Sequence, residues 1–134
     1  SGISREILKD RNILLAEDND LNAEIAEAIL ERAGLKVDRV EDGLQCVNQI
    51  TEMPAETYDI ILMDIQMPKM DGYKATQMIR NLSDQEKACI PIIAMTANAF
   101  EEDKRAAIAA GMNGHIAKPI QVDKLLSTLA EMIR

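Results

Sequence analysis

Short apolar runs alternate with longer stretches of helical periodicity along the whole chain. Most of the apolar runs are continuous rather than alternating, which is typical of strands buried on both faces of a parallel sheet. The second run alternates apolar and polar residues, which favours a half-exposed strand near the edge of the sheet. The predicted strands are residues 12–16, 36–40, 58–63, 91–95 and 114–117.

The intervening stretches repeat their apolar residues at helical spacing. In the first of them Leu21, Ile25 and Ile29 form one helix stripe, with Asp20 as a candidate N-cap and Gly34 beyond the end. Four further helical patterns follow the later strands. Short connections between strand and helix require parallel strands with right-handed crossovers. The sequence therefore predicts an α/β doubly wound fold, a five-stranded parallel sheet with five helices.

Composition and charge narrow the class of protein. A chain of 134 residues, 47% of them hydrophobic, suits one ordered domain. The net charge of −8 argues against a nucleic-acid surface and against direct contact with an anionic membrane. Because no membrane span or signal peptide is recognisable, the expected location is the cytoplasm, although the parent protein can still be membrane-anchored. Cys46 and Cys89 are expected to be reduced packing residues.

Polar residues stand at the carboxyl ends of four predicted strands: Asp18, Asp64, Thr96 and Lys118. In a parallel sheet these ends lie at one edge, where open α/β sheets bind their ligands. Glu17, Asp18 and Asp64 would repel one another there unless a cation lay between them. Oxygen ligands without His or Cys favour Mg²⁺, with Mn²⁺ as a close relative. Lys118 and Thr96 add a cation and a hydroxyl, which suits binding of a phosphoryl group.

Each of these residues has a simpler interpretation when taken alone. Asp18 could favour a helix N-terminus, Asp64 could be a turn residue, and Lys118 could be a solvated surface residue. Chance would have to place all of them at the carboxyl ends of strands. Two enzyme classes fit less well. A flavin mononucleotide site needs a phosphate cradle after the first strand, and a phosphatase of the aspartate-nucleophile type needs a second Asp where this chain has Gln66.

The sequence resembles the receiver domain of two-component response regulators from about Asn12 to Arg134. The resemblance rests on the segments 13–19, 64–72, 94–99 and 117–119, which read ILLAEDN, DIQMPKMDG, AMTANA and AKP. The residues around Met63–Asp64 and just before His115 are most similar to those of receivers attached to hybrid sensor histidine kinases. Residues 12–134 are accordingly expected to form the receiver domain, and residues 1–11 a linker or leading segment.

The resemblance implies a role for each matching residue. Asp64 would accept a phosphoryl group from a phosphohistidine. Asp18 and Asp64 would bind Mg²⁺ through their side chains, the Gln66 backbone carbonyl would be a third ligand, and Glu17 would act directly or through water. Lys118 would pair with the phosphoryl oxygens.

The same resemblance assigns a conformational switch. Thr96 would donate a hydrogen bond to the phosphoryl group, and His115 occupies a position that is often Tyr or Phe in the family. The Lys118–Pro119 bond is expected to be cis, and the strand order 2-1-3-4-5.

The function expected from these residues is that of a phosphorelay receiver, cut from a hybrid sensor histidine kinase. Its partner would be a phosphohistidine donor, either a histidine kinase or a histidine phosphotransfer domain. Two alternatives stay open at this point. The chain could be a stand-alone response regulator, or a pseudo-receiver that only binds partners, although a pseudo-receiver would lack Asp64, Asp18 or Lys118.

Overall fold

The computed structural model describes residues 2–97 and 100–133, which contain a five-stranded parallel sheet. Its strand order is β2-β1-β3-β4-β5, so the predicted topology and the edge position of the second strand are confirmed. Asn98 and Ala99, which end one of the motif segments, lie outside the described residues. The strands are β1 (Asn12–Ala16), β2 (Lys36–Val40), β3 (Ile60–Asp64), β4 (Ile92–Thr96) and β5 (Gly114–Ala117).

The described residues form seven helices, where the sequence predicts five. The five predicted ones are α2 (Asp20–Arg32), α3 (Gly43–Glu52), α4 (Gly72–Arg80), α6 (Glu101–Ala110) and α7 (Val122–Ile133). The first additional helix, α1 (Gly2–Leu8), lies where a linker or leading segment is expected and buries Leu8 completely. The second, α5 (Gln85–Ala88), is a single turn in a polar stretch, too short to show any periodicity.

The sheet separates two apolar cores. Side chains from α1, α2 and α7 pack on one face of the sheet, and side chains from α3, α4 and α6 pack on the other. Successive residues of the central strand β3 alternate between the two cores, so the whole strand is buried. This double burial explains why β3 is a continuous apolar run in the sequence, with a polar residue only at its end.

Only Ile29 of the apolar stripe predicted on α2 packs against the core. Leu21 and Ile25 are 65% and 48% exposed, whereas the buried residues of the helix are Ala23, Ala26 and Leu30. Small alanine side chains allow α2 to lie close to the sheet. Leu21 and Ile25 are left on the surface, beside the edge of the sheet where the candidate site lies.

Helix starts are set by side chains that accept a backbone hydrogen bond. The candidate N-cap Asp20 lies inside the first turn of α2, and the cap is Asn19, whose Oδ1 accepts from the Asn22 amide at 2.9 Å. Asp42 and Asp71 cap α3 and α4 in the same way. Such caps satisfy backbone donors that would otherwise lack a partner.

Both cysteines are free thiols, but only one of them is a packing residue. Cys46 is buried, and burial together with the nearby Asp42 raises its pKa to about 12. Cys89 is exposed, which corrects the expectation that it packs inside. Within the described ranges, none of the helices has both the length and the apolarity that a membrane crossing requires.

Candidate active site

The candidate site is built at the carboxyl edge of the sheet, where strand register brings the predicted residues together. Asp64 ends β3 and Thr96 ends β4, while Glu17 follows β1 directly and Lys118 follows β5. Ala16 pairs with Met63, Asp64 with Met95, and Thr96 with Ala117. Because these strands end at nearly the same level, residues far apart in sequence become neighbours.

Three carboxylates form the floor of the site. Glu17, Asp18 and Asp64 each offer an oxygen, and these oxygens lie within 4.8 Å of one another. Glu17 and Asp64 are only 1% and 7% exposed, whereas Asp18 is open to solvent. Carboxylate oxygens at this spacing, with no His or Cys in the cluster, suit a hard divalent cation such as Mg²⁺. The residues present therefore fit the metal that the sequence predicts.

Lys118 compensates this negative charge directly. Its Nζ lies 2.9 Å from Glu17 Oε1 and 3.1 Å from Asp64 Oδ2. Burial of the ammonium group would lower its pKa, but the hydrogen bonds and charges of Glu17 and Asp64 outweigh burial and leave the pKa of Lys118 above its ordinary value. Lys118 is therefore fixed by ion pairs with the acidic cluster and is not a solvated surface lysine.

Glu17 is held from two sides, and one of its partners, Arg39, is not among the site residues that the sequence predicts. The Asn19 amide donates to Glu17 Oε2 at 3.1 Å. Arg39, on β2, donates from Nε and Nη2 to the Glu17 backbone oxygen at 3.0 and 2.8 Å, and from Nη1 to the Asp20 carboxylate at 2.9 Å. Its place in an alternating edge strand gives no sign of this contact. Arg39 fixes the backbone from which the first two acidic residues project.

The connection between β3 and α4 folds back over Asp64. The Gln66 amide approaches Asp64 Oδ1 at 3.4 Å, and the Gly72 amide donates to the Ile65 oxygen at 2.7 Å. A Cβ atom on Gly72 would lie 2.6 Å from the backbone oxygen of Asp64, a contact too short for a real Cβ atom. Glycine is therefore required for α4 to begin this close to Asp64.

Thr96 and Lys118 lie on one wall of a cleft of about 280 Å³. The Lys118 amide donates to the Thr96 oxygen at 2.8 Å, which ties the ends of β4 and β5 together. Asp64 and Gln66 line the same cleft. Two further lining residues, Tyr73 on α4 and Asp103 on α6, are not predicted from the sequence, because neither ends a strand or falls within a matching motif segment.

His115 lies on β5, outside this cleft and partly buried. Burial lowers its pKa below the ordinary value, the charges of Lys104 and Lys124 lower it further, and Glu101 opposes them. The structure thus does not bring the expected switch residue into contact with the acidic cluster. The Lys118–Pro119 peptide bond is cis, as the resemblance implies.

The sequence profile of the response regulator receiver domain matches residues 13–130. The chain belongs to the response regulator receiver domain family. The strand order and the acidic cluster agree with this assignment. The function expected from the sequence is confirmed at this level: the chain is a receiver domain of a phosphorelay.

The relatives of this chain include histidine kinases that are much longer than it is. Probable histidine kinase 1 of Oryza sativa subsp. indica is 36% identical over 150 aligned positions, covering 90% of this chain and 15% of the rice protein. Signal transduction histidine-protein kinase BarA of Escherichia coli (strain K12) is 38% identical over 117 positions, covering 87% of this chain and 12% of its own length. The receiver domain is therefore similar to the receiver regions of hybrid sensor kinases.

Solved structures share the fold over almost the whole chain. The receiver domain of a sensor histidine kinase from Pseudomonas aeruginosa PAO1, with a magnesium ion coordinated in its active-site cleft, has a TM-score of 0.83 and 40% identity, covering 92% of this chain and 98% of that one. The receiver domain of Ssk1 from Saccharomyces cerevisiae, solved with the histidine phosphotransfer protein Ypd1, has a TM-score of 0.85 and 28% identity, covering 94% and 90%.

Proposed function

We propose that this receiver domain accepts a phosphoryl group on Asp64 from a phosphohistidine, in a reaction that requires Mg²⁺. The observation that carries the proposal is the setting of Asp64. Asp64 ends the central strand and is nearly buried, with Lys118 Nζ 3.1 Å from its carboxylate and oxygens of two further carboxylates within 4.8 Å. A structural aspartate would gain nothing from acidic neighbours, whereas an aspartate that binds both metal and phosphate needs them.

The transfer is a displacement at phosphorus. A carboxylate oxygen of Asp64 attacks the phosphorus atom, the O–P bond forms, and the N–P bond to the donor imidazole breaks. The electron pair of that bond stays on the imidazole nitrogen. With a proton on the other ring nitrogen of the donor, the leaving group is a neutral histidine, and an acyl phosphate is formed on Asp64. No oxidant or additional reactant is needed.

The metal would be held by Glu17, Asp18 and Asp64, with the Gln66 backbone carbonyl as a further ligand. When bound, Mg²⁺ supplies positive charge for the phosphoryl oxygens and for the crowded carboxylates. Mn²⁺ has similar ligand preferences and should substitute.

Lys118 and Thr96 would hold the other side of the phosphoryl group. The Lys118 ammonium group, already beside Asp64, would pair with one phosphoryl oxygen, and the Thr96 hydroxyl would donate to another. Such fixed donors stabilise charge that develops in the transition state. Thr96 and His115 would then carry the change outward as the switch.

The donor would be a histidine phosphotransfer domain or the transmitter part of a histidine kinase. The exposed residues Leu21 and Ile25 support a protein donor, since they leave an apolar surface beside the site. Ile25 also lines a cavity with Pro119 and Ile120 that reaches Glu17 and Lys118. A donor seated there would have its histidine close to Asp64. The Ypd1 complex of the Ssk1 receiver provides a precedent for a partner of this class.

We also propose that the domain proper comprises residues 12–134 and belongs to a hybrid sensor histidine kinase in the cytoplasm. The lengths and names of its relatives support that origin. A stand-alone regulator is the alternative. A pseudo-receiver is disfavoured because Asp18, Asp64 and Lys118 are all present.

Intact-mass measurement after incubation with a small acyl phosphate and Mg²⁺ tests the proposal. The unmodified chain should gain one phosphoryl group, and Asp64→Asn should gain none. Asp84→Asn is a matched control, because Asp84 only caps the single-turn helix α5. An adduct that persists in Asp64→Asn would overturn the assignment.

A further inference from the structure

The N-terminus of α3 touches the loop that follows Asp64. The Gly43 amide donates a hydrogen bond to the Met70 backbone oxygen at 3.0 Å, and Gly43 is buried at this contact. The preceding residue, Asp42, is 3% exposed and places its Oδ2 3.9 Å from the Lys69 Nζ. Two adjacent residues of one element thus hold two adjacent residues of the loop.

This contact leaves no room for a side chain. A Cβ atom on Gly43 would lie 2.3 Å from the Met70 oxygen and 2.9 Å from its carbonyl carbon. Both atoms are backbone, so a side-chain rotation cannot relieve the clash. Any larger residue at position 43 must push the loop and the start of α3 apart.

The loop is held at its other end as well. Gly72 packs against the Asp64 backbone and donates to the Ile65 oxygen. Between these two contacts the loop turns sharply, with Lys69 in the left-handed region (φ 65°) and the Met70 amide donating to the Pro68 oxygen at 2.6 Å. Gln66 lies in the part of the loop between these two contacts. Its side chain is exposed, and its backbone amide lies only 3.4 Å from Asp64 Oδ1.

We propose that Asp42 and Gly43 are positioning residues that clamp the β3–α4 loop and thereby set the place of the Gln66 carbonyl in the metal site. This inference rests on the proposed function, since it takes the Gln66 carbonyl to be a metal ligand. The clamp touches neither metal nor phosphate. Its effect is on how tightly the protein binds Mg²⁺, and only through that on phosphorylation.

The experiment compares Gly43→Ala with Val47→Ala by titration calorimetry with Mg²⁺. Val47 is buried one turn further along the same helix but faces the core, so its truncation costs stability without touching the loop. We expect Gly43→Ala to weaken Mg²⁺ binding roughly tenfold, the low end for changes behind metal ligands. Val47→Ala should leave the affinity unchanged. At saturating Mg²⁺ the phosphorylation rate of Gly43→Ala should recover toward that of the unmodified protein.

The outcomes separate this inference from the proposed function. Unchanged Mg²⁺ affinity in Gly43→Ala, or an equal loss in Val47→Ala, would overturn the clamp alone. Failure of the unmodified domain to bind Mg²⁺ would contradict the metal site itself, and the clamp with it.

Should Gly43→Ala not fold, Asp42→Asn takes its place. Asn keeps the helix cap but cannot form the ion pair with Lys69. Glu41→Gln removes an exposed charge one residue earlier and is the matched control. A larger loss of Mg²⁺ affinity in Asp42→Asn than in Glu41→Gln is expected, and equal losses would overturn the clamp.

Discussion

Two partly buried cations, Lys118 and Arg80, lie at opposite edges of the sheet and are held in different ways. Lys118 contacts two carboxylates at the carboxyl edge. Arg80 donates to backbone oxygens and to an amide oxygen before β4 and β5, at the amino edge. Its acceptors, at 2.7 to 2.9 Å, are Ala88 O, Ile90 O, Gly111 O and Asn113 Oδ1.

The difference is visible in the pKa values of the two groups. Burial lowers the pKa of Arg80, with a small opposing effect of Cys89, because its hydrogen-bond partners carry no full charge. The pKa of Lys118 is raised despite burial, because its partners are carboxylates. Arg80 completes a neutral hydrogen-bond network and so has a structural role. Lys118 balances charges that a metal and a phosphoryl group would rearrange, which is typical of functional sites.

Replacing Lys118 should therefore impair phosphorylation, whereas replacing Arg80 should impair stability. The larger effect is expected at Lys118. Lys118→Met should slow phosphorylation by a small acyl phosphate roughly 100-fold, the typical cost of losing one fixed charge-stabilising donor. The rate is measured by intact mass at saturating Mg²⁺. A rate within a few-fold of the unmodified domain would remove Lys118 from the mechanism.

Stabilisation of the domain by Mg²⁺ should depend on the acidic cluster at the carboxyl edge of the sheet and not on Arg80 at the amino edge. At a concentration one hundred times its dissociation constant, Mg²⁺ should stabilise the folded domain by about 2.7 kcal/mol. Asp18→Ala removes one carboxylate of the cluster and should lose most of this gain in thermal unfolding, whereas Arg80→Met should keep it. Equal stabilisation of Asp18→Ala and the unmodified domain would mean that the ion binds elsewhere.

Arg80→Met should cost stability but not phosphorylation. Loss of the guanidinium leaves buried carbonyl oxygens without their charged donor, for which a loss of about 2–3 kcal/mol in the free energy of unfolding is expected. Denaturant unfolding gives the change, and Arg80→Lys should recover only part of it, because an ammonium group cannot reproduce the planar fork. Slowed phosphorylation in a folded Arg80→Met domain would contradict the division of roles.

The smallest expected effect is the pH dependence from His115. Its folded-state pKa lies below the unfolded value, so the unfolded chain binds the proton more readily. Its contribution to stability is therefore lost as pH falls below about 6.5, the ordinary value for histidine. The unmodified domain should lose more melting temperature between about pH 7.5 and about pH 5.5 than His115→Gln does. Identical losses would show that His115 does not titrate differently on folding.

The comparison also explains what sequence could and could not predict. Strands buried on both faces appear in the sequence as apolar runs that stop at a polar residue. The sheet and the positions of Asp64 and Lys118 can therefore be predicted. The roles of Arg39 and Arg80 cannot be predicted in this way, because each contacts backbone oxygens of residues distant in sequence. Every residue type carries such an oxygen, so the sequence does not show which one is the acceptor.

Helices were predicted less completely than strands. A single turn such as α5 has no periodicity to detect, and α1 is stabilised by packing against the rest of the domain rather than by its own pattern. On α2 the largest apolar residues were readable, but periodicity alone could not tell the face packed on the sheet from a face left for a partner. The small Ala23 and Ala26 give a weak signal, yet they are what fits against the strands.

The central claim is that Asp64 receives the phosphoryl group, and mapping the modified residue tests it most directly. The domain is phosphorylated by a phosphohistidine protein in the presence of Mg²⁺, the acyl phosphate is trapped by borohydride reduction, and the digested peptides are sequenced by mass spectrometry. Reduction is expected at Asp64 alone, with Glu17 and Asp18 unmodified. Modification at Glu17 or Asp18, or phosphate on His115 instead, would contradict it.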